Sequence, residues 1–141
     1  MAIEVHGYTP NSSGTAWQLR KSGNLSGVGS SDMNHCERVV YGSLPSSTVY
    51  FLLQNAFPCF KCHAHFLSQS SAGHSIIVKV TKDEGTYSLD HKQTPTSLKG
   101  PATPQIIYYY NNTATYVGMT SVAKGPPATF PAHPEVEDYE I

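Results

Sequence analysis

Two short apolar runs constrain the fold of this chain more than any other feature in it. Thr48-Val49-Tyr50-Phe51-Leu52-Leu53 and Ser75-Ile76-Ile77-Val78-Lys79-Val80-Thr81 are rich in β-branched and aromatic residues and show little polar alternation. A strand that alternates can leave one face in water, but a strand apolar on both faces has to be covered twice. The first run stops at Asn55-Ala56-Phe57-Pro58, where Pro58 suits the first turn of a new helix. That helix carries Cys59, Cys62, Phe66 and Leu67 until Ser70-Ser71-Ala72-Gly73 ends it. An earlier helix is expected from Asn34 to about Gly42, capped by Ser31 or Asp32, with Val39 and Val40 turned inward. Strands alternating with helices in this way predict an α/β layer whose sheet is at least partly parallel.

The flanking regions read differently. The first thirty or so residues are rich in Gly, Ser and Asn, interrupted by Thr15-Ala16-Trp17-Gln18-Leu19-Arg20, which reads as an early strand. Ser22 to Ser31 reads as a flexible loop. Asp83 to Pro104 is irregular, with room for a short strand around Tyr87-Ser88-Leu89. Gln105 to Tyr110, Asn111-Asn112 and Thr113 to Val117 predict a hairpin, since asparagine tolerates the positive φ of a tight turn. No internal repeat is present. The expectation is one domain over residues 1–141 with a five-stranded mixed sheet, residues 1–14 and 125–141 being extended or flexible.

Bulk composition narrows the class further. At 141 residues, 39% hydrophobic, with 9 tyrosines and 5 phenylalanines, the chain can bury a core and is not a disordered polymer. Its net charge is −1, but Glu135, Glu137, Asp138 and Glu140 crowd the C-terminus. Setting those four of the 10 acidic residues aside leaves 6 against 9 basic ones, a mildly basic body that permits a polyanionic substrate. The acidic terminus itself reads as solvated and disordered. Three cysteines, two of them in a C-x-x-C, make a poor disulfide framework and suit metal ligation in a reducing compartment. No apolar run approaches the ~18 residues of a membrane span, and the N-terminal residues lack the pattern of a signal peptide.

The chemistry-bearing constellation is His35-Cys36-Glu37 followed by Pro58-Cys59-Phe60-Lys61-Cys62. A zinc ion that does chemistry takes three protein ligands and keeps one position open for water. One imidazole and two thiolates, from His35, Cys59 and Cys62, meet that need. The C-x-x-C at a helix start turns both sulfurs toward one point, where the helix's positive end favours thiolate. Cys36 is a poor fourth ligand, because neighbouring helical residues point about 100° apart, and reads as a small core residue. Glu37 is then left over for general acid–base work beside the metal, moving a proton from water to a ring nitrogen and on to departing ammonia.

With the pattern H-x-E…P-C-x-x-C, the chain resembles the cytidine deaminase-like superfamily, in particular its bacterial toxin branch of single-strand DNA deaminases used between competing bacteria. The motif-bearing likeness covers about Asp32 to Thr81. By that resemblance His35, Cys59 and Cys62 bind Zn2+ and Glu37 shuttles the proton. It implies a three-layer α/β fold, a five-stranded sheet with both zinc-site helices on one face. Nucleic-acid-editing relatives usually place a helix between the fourth and fifth strands, making them parallel. Here Ile106–Tyr110 and Thr113–Val117 leave no room for one, so these strands are expected to be antiparallel. Phe57 departs from the small polar residue many relatives carry before the proline. The implied activity is deamination of cytosine to uracil in single-stranded nucleic acid, DNA before RNA. The implied setting is a domain of a larger secreted toxin acting in a target cell's cytoplasm. A cognate immunity protein is the expected partner, the domain is expected to be a monomer, and no membrane is involved.

Other residues have plainer readings beside the functional ones. Asn55, Phe57 and Pro58 sit where a substrate mouth is expected, and a cap and core packing account for them equally well. Tyr108 and Tyr110 offer a stacking platform for unpaired bases, although sheet packing is the commoner fate of such residues. Arg20, Lys21, Lys61 and Lys99 are candidates for phosphate contacts, and Trp17 reads as core. His63 and His65 flank the motif and read as packing or solvated residues. Two rival functions stand: a deaminase of free nucleosides or of RNA, and a zinc-stabilised binding module in which Glu37 is an ordinary surface residue.

Overall fold

The structure, a computed structural model, describes residues 2–26, 36–56, 58, 60–84, 106–117 and 125–139. In chain order these form β1 (Ala2–Pro10), β2 (Trp17–Ser26), α1 (Cys36–Gly42), β3 (Tyr50–Ala56), α2 (Phe60–Ser71), β4 (Ile76–Glu84), β5 (Ile106–Tyr110) and β6 (Thr113–Val117). One six-stranded sheet runs β2-β1-β3-β4-β5-β6. β3 and β4 pair in parallel, and every other neighbouring pair is antiparallel. The expected α/β class and mixed sheet are therefore present.

The sheet has six strands where the sequence led to an expectation of five. The extra one is β1. Its helix-facing positions read Val5, Gly7, Thr9 and its opposite positions Glu4, His6, Tyr8, so neither face carries the apolar alternation that marks a strand. β2 also runs on to Ser26, through residues expected to form a loop. As the outermost strand it needs only backbone hydrogen bonds to β1 and no apolar side chains. The suggested strand near Tyr87 lies outside the described residues.

β3 and β4 are buried on both faces, as their composition requires. Tyr50, Leu52, Ile76, Val78 and Val80 join Val40 and Tyr41 of α1 and Cys62 and Phe66 of α2 in one core. Both helices thus cover the same face. Fully buried side chains such as Leu52, Phe66 and Ile76 each contribute roughly 1.5–3 kcal/mol by leaving water. α1 seats Val40 at 0% exposure, whereas Val39, expected to turn inward, is 48% exposed. Successive residues on a helix cannot share a face, and Val40 wins because Leu44 lies one turn further on over the same strand.

Their seat is Gly7. A β-carbon there would come within 2.7 Å of Val40 Cγ1 and 2.8 Å of Leu44 Cδ2. α2 stops in a Schellman arrangement, with Gly73 at φ 104°, its N–H donating to Ser70 O and the His74 N–H to Gln69 O. The β5–β6 hairpin forms as expected, with Asn111 and Asn112 at φ 51° and 60°.

The opposite face is covered by residues 125–139, a strap without regular structure. Val136 is buried there with Tyr8, Trp17, Phe51, Leu53, Ile77 and Tyr108, and Phe130 and Tyr139 pack alongside. The Trp17 indole N–H donates to Glu135 O at 3.1 Å and the Trp17 backbone N–H to Asp138 O at 2.9 Å. The acidic terminus is therefore docked rather than solvated and disordered as its charge suggested. Its carboxylates stay exposed at Glu135, Glu137 and Asp138 while the apolar residues between them turn inward. The three layers are helices, sheet and strap.

Substituting Gly7→Ala is expected to cost about 1–3 kcal/mol, because the stiff Val40 side chain cannot swing clear of the added methyl. Thermal melts of the two proteins measure it. A second expectation concerns base. Burial, with Tyr139 nearby, pushes the Tyr8 hydroxyl up to about 12, and burial does the same to Tyr116. Burial and Tyr50 also raise Tyr41. Each folded value lies above the unfolded one near 10, so the stability these groups contribute is complete below pH 10 and falls as pH climbs toward 12. Alkaline titration followed by circular dichroism should show unfolding beginning only above pH 10.

Candidate functional site

The parallel pairing of β3 and β4 dictates the direction of α2, which must run back across the sheet between them. α1 is oriented by Tyr41, near its end. The Tyr41 ring meets Tyr50, the first residue of β3, at 5.4 Å, Phe66 at 5.7 Å and His65 at 6.0 Å. Its hydroxyl lies 2.9 Å from His74 Nδ1 and donates to Gln69 Oε1 at 3.4 Å. The end of α1 thus sits at the starts of β3 and β4 and beside the later turns of α2. α2 follows β3 directly in the chain, so its first turn lies toward the C-terminal end of that strand.

Counting back one turn from the Tyr41–Phe66 contact arrives at Glu37 on α1 and Cys62 on α2. Cys62 is fully buried on the inner face of α2, in the same core as Tyr41 and Phe66. His35 and Cys59 directly precede α1 and α2 in the sequence and, like Phe57, lie outside the described residues. Among the described residues no three His, Cys, Asp or Glu side chains gather at one point. The donor set of one imidazole and two thiols fits Zn2+. So does the inward-facing Cys62 in the first turn of α2.

The neighbours of Cys62 are structural. His63 is buried, its Nδ1 sharing a 2.8 Å hydrogen bond with the Tyr109 hydroxyl on β5, and burial pushes the imidazole down to about 4. It is neutral at physiological pH and ties α2 to the sheet below the motif. His65 is half-buried, edge-on to Tyr41.

At the end of β3, Asn55 Oδ1 accepts the backbone N–H of Glu4 at 2.9 Å, holding β1 in register where the site begins. Pro58 is buried. Tyr108 and Tyr110 stand on the strap side of the sheet, away from Cys62. Tyr108 is buried edge-on to Phe130 at 5.3 Å, and half-buried Tyr110 lies 5.7 Å from the same ring. Asn55 and Pro58 sit at and just beyond the end of β3, Cys62 lies in the first turn of the helix that follows, and Tyr108 and Tyr110 stand on the other face of the sheet from Cys62.

Two concavities formed by described residues lie elsewhere. An open cleft of about 790 Å³ separates residues 15–19 from Glu137, Asp138 and Tyr139, and a hollow of about 320 Å³ lies by Ser70, His74 and Asn111. Sequence reasoning passed over the Tyr109–His63 bond, whose only signal was the tyrosine run Tyr108-Tyr109-Tyr110 of β5. No helix of the described residues is long and apolar enough to cross a membrane. Comparison with protein-family models, with curated proteins and with solved structures finds no match.

Replacing Tyr109 by Phe removes the hydroxyl and leaves a buried His63 nitrogen without it, which is expected to cost about 1–3 kcal/mol. Chemical denaturation of wild type and Tyr109→Phe provides the measurement. An unchanged midpoint would show that the bond anchors nothing.

Proposed function

We propose that this chain is a zinc-dependent deaminase that converts cytosine to uracil in single-stranded DNA. The observation that carries the reading is that α1 and α2 cover the same face of the sheet, with Glu37 in the first turn of α1 and Cys62, fully buried, in the first turn of α2. His35, Cys59 and Cys62 would hold the metal, and Zn2+ when bound lowers the pKa of water so that a nucleophile exists at neutral pH.

The remaining steps fall to the chain's own groups. The carboxylate of Glu37 accepts a proton from the attacking water and passes it to the ring nitrogen beside the reacting carbon. A second transfer protonates the amino group, the carbon–nitrogen bond breaks, and ammonia leaves as the carbonyl of uracil forms. Burial of Cys62 keeps its sulfur from bulk water, and the Asn55–Glu4 bond steadies the strand end that leads into the motif. A base inside a duplex cannot reach such a site without leaving its stack, which favours an unpaired strand. In this reading the domain serves a larger secreted bacterial toxin, and a cognate immunity protein protects the producing cell.

The test is a uracil readout on a fluorescent single-stranded oligomer, with a duplex of the same sequence, a chelator-treated sample and Glu37→Gln alongside. The expected outcome is uracil in the single strand, lost with chelation and reduced about 10²–10⁴-fold by Glu37→Gln. If zinc-loaded protein yields no uracil there but acts on RNA or free cytidine, the DNA assignment is wrong. Equal activity of Glu37→Gln and wild type would overturn the proton-shuttle role altogether.

A further inference from the structure

The pairing of β1 with β2 contains one irregularity. Gly7 pairs with Lys21 and Tyr8 with Leu19, so Arg20 is the extra residue of a bulge. Consecutive residues of a regular strand point to opposite faces, and a bulge re-aims a side chain. Lys21 shares the face of its partner Gly7, the face on which α1 sits. Arg20 belongs to the same face, since its Nε donates to Thr9 Oγ1 at 2.9 Å and Thr9 points opposite to Tyr8 of the strap side. The bulge thus sets two adjacent cations side by side on the flank of α1. Both are exposed, and Thr9 holds the guanidinium at its Nε edge, leaving the outer nitrogens turned away from that bond.

Charge elsewhere in the described residues is arranged to leave this flank distinct. Lys79, on the strap side, is engaged by the strap. Its ammonium donates to Val136 O at 3.4 Å, lies 3.9 Å from Glu137 and stands over the Tyr139 ring at 5.0 Å. The exposed carboxylates of Glu135, Glu137 and Asp138 ride on that same strap, and Glu4 points to the same side of the sheet. A polyanion is repelled from the strap face and attracted to the helix side at β2.

We propose that Arg20 and Lys21 hold the phosphate backbone of the single-stranded substrate along the flank of α1, a few nucleotides from the base that reacts. The inference rests on the deaminase reading only for the identity of the strand. Lys21 lies two strands across from β3 and four residues below Ala56 in register, about 16 Å from the end of β3 where the chain leads into α2. A single strand whose base enters at that end can lay its neighbouring phosphates over the bulge.

The test measures binding of a fluorescent single-stranded DNA oligomer by anisotropy across a salt series, with uracil formation followed on the same oligomer. Three proteins are compared: wild type, Arg20→Gln/Lys21→Gln, and the charge-keeping Arg20→Lys/Lys21→Arg. Each phosphate contact contributes about −0.7 to the slope of log affinity against log salt for a single strand, so the neutral variant should lose about 1.4 of that slope. Equivalently, wild-type binding should weaken about sevenfold more than that of the neutral variant when salt rises about fourfold. The charge-keeping variant should retain the wild-type slope, and since both variants lose the Arg20–Thr9 hydrogen bond they should melt together, slightly below wild type.

Identical slopes in wild type and the neutral variant, with uracil formed by both, would overturn the phosphate contact and leave the deaminase reading intact. A lost slope without uracil from any of the three would support the contact and sink the deaminase reading. Failure of wild type to bind the oligomer at any salt would overturn both.

Discussion

Everything in this fold follows from the need to cover β3 and β4 twice. Tyr50, Leu52, Ile76 and Val78 face one way and Phe51, Leu53 and Ile77 the other, and all are buried. A sheet with such a centre cannot leave either face in water. The helices supply one cover, as their apolar stripes allow. The other cover is residues 125–139, which have no helical or strand periodicity and reach the sheet through scattered anchors at Phe130, Val136 and Tyr139. The strap succeeds because its backbone finds partners, with Trp17 bonded to the carbonyls of both Glu135 and Asp138.

The same constraint positions the candidate site. Parallel pairing of β3 with β4 forces α2 to cross back over the sheet, so its first turn begins where β3 ends. α1 is short, and two contacts settle its placement: Val40 against the bare backbone of Gly7, and Tyr41 wedged among Tyr50, Phe66 and His74. Neither contact involves a residue expected to do chemistry. The motif residues on α1 are carried by packing that lies one turn away from them.

Much of this was legible from residue order. The buried strands, the direction-reversing helix between them and the Asn-Asn hairpin all announce themselves through local composition, because each depends on interactions among near neighbours. β1 was not legible, since its inner face is built on a glycine whose value lies in what it omits. The strap was misread for a similar reason. Four carboxylates in the last seven residues of the sequence suggest a solvated end, yet the energetics rest on Val136 and Tyr139 between them and on a tryptophan more than a hundred residues away. The Schellman end of α2 and the H-x-E and C-x-x-C spacing were visible because they are short-range. That α1 and α2 share one face was expected only through the family resemblance, because the packing that seats α1 depends on Tyr41 meeting partners on three other segments of the chain.

Docking of the strap also changes what the net charge means. A free acidic tail would sweep the whole surface and offset the basic body wherever a polyanion approached. Fixed on one face, its carboxylates act only there, and they engage the one described cation on that side, Lys79. The bulge at Arg20 has the complementary effect on β2, gathering two cations on the helix side that a regular strand would have split between faces. Among the described side chains the two faces are thereby unlike, with the carboxylates of Glu135, Glu137 and Asp138 on the strap side and Arg20 and Lys21 on the side that both helices cover.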